Sequence, residues 1–181
     1  MKSENFSTFN RRAVHTALAS ALALGMAGHG SNAHAASASN DATATVVAPI
    51  AIAATNTLRF GSFSTSAAGQ TVTINANTGA RTNSGALLAT STTGRATYNV
   101  TGEGALTYAI TLPSNGTVNI TTGAADATRT MAVSDFTSFP ATTGTLTAGA
   151  QTLGVGATIT TVTGQVAGAY TGTFNVTVDY N

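Results

Sequence analysis

Hydrophobic and polar residues alternate with a period of two over much of the chain. The C-terminal end is the clearest case. Tyr170, Gly172, Phe174, Val176, Val178 and Tyr180 fall on one side, and Thr171, Thr173, Asn175, Thr177 and Asp179 on the other. Successive side chains of a strand point to opposite faces, so this pattern predicts a strand with one apolar and one polar face. Leu106, Tyr108, Ile110 and Leu112 repeat it and end at Pro113 and the turn Ser114-Asn115-Gly116. Leu153, Val155, Ala157 and Ile159 give a third example. Shorter strands are expected at Val72 with Ile74, Tyr98 with Val100, Val118 with Ile120, and Met131 with Val133. Glycine-bearing turns separate them at Asn77-Thr78-Gly79, Gly102-Glu103-Gly104, Thr122-Gly123, Ala148-Gly149 and Gly164 to Gly168. No window after residue 35 has a helical period; Ala124 to Arg129 could make one short turn. Short strands at this spacing imply an all-β fold, a sandwich in preference to a barrel because nothing marks closure.

The region before these strands has its own pattern. Ala42, Ala44, Val46, Ala48, Ile50 and Ile52 alternate with Thr43, Thr45, Val47, Pro49 and Ala51, predicting a strand of up to ten residues. Pro49 suits an edge or a strand end, since it has no N–H to donate. A break is expected at Ala53 to Asn56, with the main domain starting at Thr57. Two readings of the strand stay open. It pairs inside its own domain, or it is donated to a neighbouring subunit, which an unpaired apolar strand would favour.

The first 35 residues read differently. Lys2, Arg11 and Arg12 precede the apolar stretch Ala17 to Ala27, and Ala33-His34-Ala35 offers small residues at a cleavage point. This is the pattern of a secretory signal peptide covering residues 1–35. The apolar stretch is shorter than the roughly 20 residues a bilayer span requires. Residues 36–56 then form an N-terminal extension and 57–181 one β-sandwich domain.

Composition narrows the chemistry. The 146 residues after position 35 hold 34 threonines, a β-branched bias that suits pleated surfaces. Their charged residues are Arg59, Arg81, Arg95 and Arg129 against Asp41, Glu103, Asp126, Asp135 and Asp179, a net charge of −1. Four dispersed arginines make no basic footprint for nucleic acid. The chain has no cysteine, and His15, His29, His34 and Lys2 all precede residue 36. A thiol nucleophile, an imidazole base and a Schiff-base amine are therefore missing from the expected mature chain, which reads as non-enzymatic, without cofactor or metal. Gly102-Glu103-Gly104 and Gly154-Val155-Gly156 lack the strand–loop–helix setting of a nucleotide fingerprint and read as turn or strand glycines. Asp126, Asp135 and Asp179 are too scattered in sequence for a calcium loop. The Asn-x-Thr triplets at Asn99, Asn115, Asn119 and Asn175 are expected by chance in so threonine-rich a chain. Phe136-Thr137-Ser138-Phe139-Pro140 reads as a loop whose aromatics plug the core or, less simply, form a contact surface.

Three segments together carry a resemblance: Val47-Ala48-Pro49-Ile50 in the N-terminal strand, Leu58-Arg59-Phe60-Gly61-Ser62-Phe63 at the domain start, and Gly168-Ala169-Tyr170-Thr171-Gly172 leading into the C-terminal strand. In this order they resemble the bacterial domain of unknown function 4402. That family is in turn similar to the pilin subunits of chaperone–usher fimbriae of the spore-coat-U-like type, although the cysteine pair usual there is missing. The likeness implies an immunoglobulin-like sandwich, incomplete until a donor strand fills it. It casts Thr43, Thr45, Val46, Val47, Ile50 and Ile52 as that donor strand. Phe174, Val176, Val178 and Tyr180 would edge the receiving groove and face a chaperone, and Tyr180 would match a penultimate tyrosine common in such subunits. A last core residue is the plain alternative for Tyr180. The implied protein is an exported structural subunit of the cell surface of a Gram-negative bacterium, in a fimbrium or the periplasm. Its partners would be copies of itself or related subunits, a periplasmic chaperone and an outer-membrane usher, with no membrane span after signal cleavage. A monomeric secreted adhesin or carbohydrate-binding module is the alternative.

Overall fold

The computed structural model describes residues 35–64, 69–124 and 126–181. The predicted signal segment therefore lies outside the described residues, Ala35 excepted. The chain divides into units of residues 1–43 and 44–181. The described part of the first, 35–43, is exposed and has no regular secondary structure. Among the described residues the second unit holds every strand and no helix forms, so none there is long and apolar enough to cross a membrane.

Among the described residues, twelve antiparallel strands build an all-β fold consistent with a sandwich. The larger sheet has seven: β1 (Ala51–Asn56), β3 (Thr71–Ile74), β4 (Arg81–Ser84), β6 (Ala96–Thr101), β8 (Val118–Thr121), β9 (Thr130–Phe139) and β11 (Ala150–Thr160). The smaller has three, in the order β10 (Thr143–Thr145), β7 (Thr107–Thr111), β12 (Thr177–Tyr180). β2 (Phe63–Ser64) and β5 (Leu87–Leu88) make a separate pair.

β11 is the spine of the larger sheet. Its first half, Ala150 to Val155, pairs with β6, and Thr158 to Thr160 pairs with β3. Gly154 to Thr160 pairs with β9 on the other edge. Leu153, Val155, Ala157 and Ile159 alternate into the core as their spacing predicts, and all four are buried. The intervening Gly154 and Gly156 are also buried, because residues 74–76 cross the strand closely there. These are strand glycines, as expected. Threonine pairs extend the packing: Thr73 and Thr158 share a hydroxyl hydrogen bond of 2.8 Å between β3 and β11.

The core has two clusters. One contains Val72, Val118, Met131, Val133, Ala157 and Ile159, with Ala86. The other contains Val100, Tyr108, Leu146, Leu153, Val155 and Val178, with Ala96. Each fully buried aliphatic side chain here contributes roughly 1.5–3 kcal/mol. Burial also pushes the pKa of the Tyr98 and Tyr108 hydroxyls above the ordinary phenol value, because it disfavours the charged phenolate. Tyr108 donates to Gln151 Oε1 at 2.7 Å, so its buried hydroxyl is satisfied.

Three sequence expectations need correction. The Phe136–Phe139 stretch is not a loop but the second half of β9. A bulge at Asp135, which has φ of 49°, shifts the β9–β11 register and turns the buried set from Met131 and Val133 to Phe136. Asn115 holds the bulge, accepting from Asp135 N at 2.7 Å and donating to Asp135 Oδ1 at 3.0 Å. The strand expected from Tyr170 begins only at Thr177. The strand expected at Ala42 to Ile52 begins at Ala51, and the break expected at Ala53 to Asn56 is instead strand.

Candidate functional site

The N-terminal residues separate into two groups. Thr43, Thr45, Val46 and Val47 lie outside any strand and are exposed, Val46 at 96% and Val47 at 44%. Ile50 and Ile52 instead pack against the second core cluster, and β1 pairs with β6 of the same chain through Ile52 and Val100. The apolar run thus has an exposed front and an anchored rear.

The C-terminal residues Phe174, Val176, Val178 and Tyr180 all pack against the second cluster. β12 is an edge strand beside β7. Asn181 N donates to Thr107 O at 3.2 Å, which puts the odd-numbered residues of β12 in hydrogen-bonded pairs. The main-chain groups of Val178 and Tyr180 therefore point to the open edge.

A concave feature lies next to Phe174 and runs upstream of β12. It is a groove of about 710 Å³. Its floor is the larger sheet: Ile120 of β8, Met131 and Val133 of β9, and Ile159 of β11. One wall is residues 58–64, carrying Leu58, Phe60 and Phe63. The other is residues 165–172 with Phe174. Among the described residues that line it, Arg59 is the one that carries a charge. The three-stranded sheet covers the second cluster, whereas the first is covered by these two irregular walls.

Each wall is fixed from behind. Arg81 donates to Phe60 O at 2.9 Å, Ser62 O at 3.0 Å and Ala89 O at 2.8 Å. Arg59 and Gly94 exchange two main-chain hydrogen bonds, of 2.8 and 3.0 Å. Gly61, between the two carbonyls that Arg81 holds, has φ of 72°, and a Cβ there would lie 2.6 Å from Arg81 Nη1. Glycine is required on both counts. Gly61→Ala is expected to destabilise the domain by about 2 kcal/mol, combining left-handed strain with displacement of Arg81. Urea denaturation checks this; an unchanged midpoint would show that the wall is free to shift.

On the opposite wall, Tyr170 Oη donates to Val166 O at 2.6 Å, a tyrosine returning to the chain four residues upstream. Gln165 Nε2 donates to Tyr170 Oη and to Thr128 O, both at 2.8 Å. The loop carrying Thr128 is set by Asp126, which accepts from Thr128 N at 2.9 Å and Oγ1 at 2.8 Å and pairs with Arg129. The Thr128 hydroxyl bond, then the Arg129 side chain, hold the Asp126 carboxyl below the ordinary carboxylate range. Thr171 and Thr121 exchange main-chain bonds of 2.9 and 3.0 Å. Beyond them, residues 172–175 make no main-chain hydrogen bond with another described segment.

The sequence pointed to Phe174 but not to the rest of the groove. Arg81, Gln165 and Tyr170 fix its walls through carbonyls far away in sequence, and no local motif marks that. Among the described residues no three His, Cys, Asp or Glu side chains cluster as metal ligands.

No curated protein and no solved structure matches the chain. The model of the family described as domain of unknown function (DUF4402) matches residues 50–180, from the anchored Ile50 to Tyr180, and so spans both groove walls and every strand of the described residues. The chain belongs to the DUF4402 domain family.

Proposed function

We propose that this protein is a non-enzymatic, exported structural subunit of the cell surface that assembles by strand donation, as a fimbrial subunit does. The observation that carries the reading is the groove. Half of the core is covered by two walls with a gap of about 710 Å³ between them, floored by Ile120, Met131, Val133 and Ile159. One wall continues into residues 172–175, whose main chain has no partner among the described residues. An added extended segment would supply main-chain bonds along such a wall and place alternate side chains in the gap.

The donor is residues 36–47 of a second copy, since both main-chain polar groups of Ala48 are held by its own domain. Ile50 and Ile52 are spoken for by their own core, so the donated part ends before them. Twelve extended residues reach roughly 40 Å, long enough to run the groove and still join two domains. Small alternating residues and Val46 fit a narrow gap. Before assembly, a periplasmic chaperone offering an extended segment would protect the same groove, and an outer-membrane usher would order the exchange.

A second reading has one observation in its favour: β1 pairs within its own chain. On that reading the protein is a monomeric secreted adhesin or carbohydrate-binding module. The test is electrophoresis of the purified chain in SDS, unboiled and boiled. The full chain is expected to give a ladder that collapses to monomer on boiling. A variant lacking residues 36–47 is expected to remain folded and give no ladder. A ladder that survives the deletion, or a monomer in every lane, would overturn the proposal.

A further inference from the structure

Where the exposed N-terminal segment meets the domain, one residue is held from both sides. Ala48 N donates to Glu103 Oε2 at 3.2 Å, and Ala48 O accepts from Tyr180 Oη at 2.9 Å. The same tyrosine hydroxyl accepts from Glu103 N at 2.7 Å. Three distant places, the segment before β1, the turn between β6 and β7, and the last strand, therefore meet in one closed ring of hydrogen bonds. Space at the ring is tight. A Cβ on Gly102 would lie 2.2 Å from Tyr180 Oη, so this turn position admits the hydroxyl only as glycine.

The arrangement is specific in two ways. Both main-chain polar groups of Ala48 are taken by side chains, although strand β1 begins only three residues later. Val46 and Val47, immediately before it, are exposed. Pro49 follows and has no N–H with which to extend a ladder.

We infer that Tyr180 and Glu103 form a clasp on Ala48 that fixes the point where the free N-terminal arm leaves the domain. The clasp does three things. It ends the anchored region at a defined residue. It ties the arm's root to the edge strand β12. It gives Glu103, the one glutamate after residue 35, and the Tyr180 hydroxyl a common task. Its consequence for assembly rests on the proposed function: a clasped root makes the link between successive subunits short and fixed in direction. The clasp itself is a property of a single chain.

The test is amide hydrogen exchange on the full chain, read at residues 48 and 103. Tyr180→Phe keeps the ring and removes the hydroxyl, and Glu103→Ala removes the carboxylate. Each directly deletes an acceptor for one of the two amides. In a closed ring each must also loosen the amide it does not touch: Tyr180→Phe is expected to speed exchange at Ala48 about five- to ten-fold, and Glu103→Ala to do the same at position 103. Exchange in β11 is expected to stay unchanged, which separates opening of the clasp from loss of the fold. Effects confined to the directly altered bond, or no effect on either amide, would overturn the clasp. Cross-effects in a protein that forms no SDS-resistant ladder would uphold the clasp and sink the assembly reading.

Discussion

Gly156→Val is expected to leave little folded protein. Gly156 sits in the middle of β11, and a Cβ there would lie 2.1 Å from Ile74 O and 2.6 Å from Ala76 N. Both obstacles are main chain, and neither is free to retreat. Ile74 is paired with Arg81 in the β3–β4 hairpin, and Ala76 O accepts from Arg95 Nη1 at 2.8 Å. Gly154 is caught by the same crossing, its Cβ position 2.4 Å from Ala76 O. Overpacking against side chains costs about 1–3 kcal/mol. Against fixed backbone the cost should exceed that range and consume much of a total stability of roughly 5–15 kcal/mol. Circular dichroism of Gly156→Val should show loss of the strand signal, and Gly156→Ala a thermal midpoint lower by at least about 10 °C. A midpoint within a degree or two of the parent would mean that the 74–76 crossing is not held as described.

Phe174→Ala should be the most damaging single truncation near the groove. Phe174 packs against both core clusters and stacks tilted on Phe136, with ring centroids 5.1 Å apart. Full burial would make the loss about 3–5 kcal/mol; because Phe174 is only partly buried, about 2–4 kcal/mol is expected. Part of that is the aromatic pair, worth roughly 0.5–1.5 kcal/mol, which a double-mutant cycle with Phe136→Leu would isolate. The truncation also removes one end of the groove wall, so any SDS-resistant ladder should fall apart at lower temperature. A midpoint unchanged by Phe174→Ala would mean that the C-terminal segment does not bridge the two clusters.

How much of this was visible in the sequence depends on how regular each strand is. β3, β6, β7, β8 and β11 alternate cleanly and are found where the apolar spacing puts them. β9 is legible only as far as Val133, because the bulge at Asp135 reverses its alternation midway and no single period covers it. β4 is Arg-Thr-Asn-Ser, with no apolar residue to betray it, and β2 and β5 have two residues each. Two segments misled in the other direction. Residues 42–50 and 170–176 alternate well yet form no strand, since alternation records which side chains seek cover and not whether a neighbouring main chain is at hand. The groove was out of reach for a related reason. Its walls are about a hundred residues apart in sequence, and what shapes them is an arginine, a glutamine and a tyrosine bonding to carbonyls. The carbonyls are present at every residue, so the sequence does not say which will be used.

The spine position of β11 also sets the order in which the molecule can be completed. The hairpins β3–β4 and β8–β9 pair within short stretches and can form as soon as their residues emerge. The β1–β6 pair and the β3–β4 hairpin are joined only through β11, which ends at Thr160. Nearly nine-tenths of the chain must therefore be out before the larger sheet closes, and the last wall of the groove follows still later, at residues 165–174. Contacts so far apart in sequence make for slow folding. The larger sheet would thus stay open until almost the whole chain had emerged.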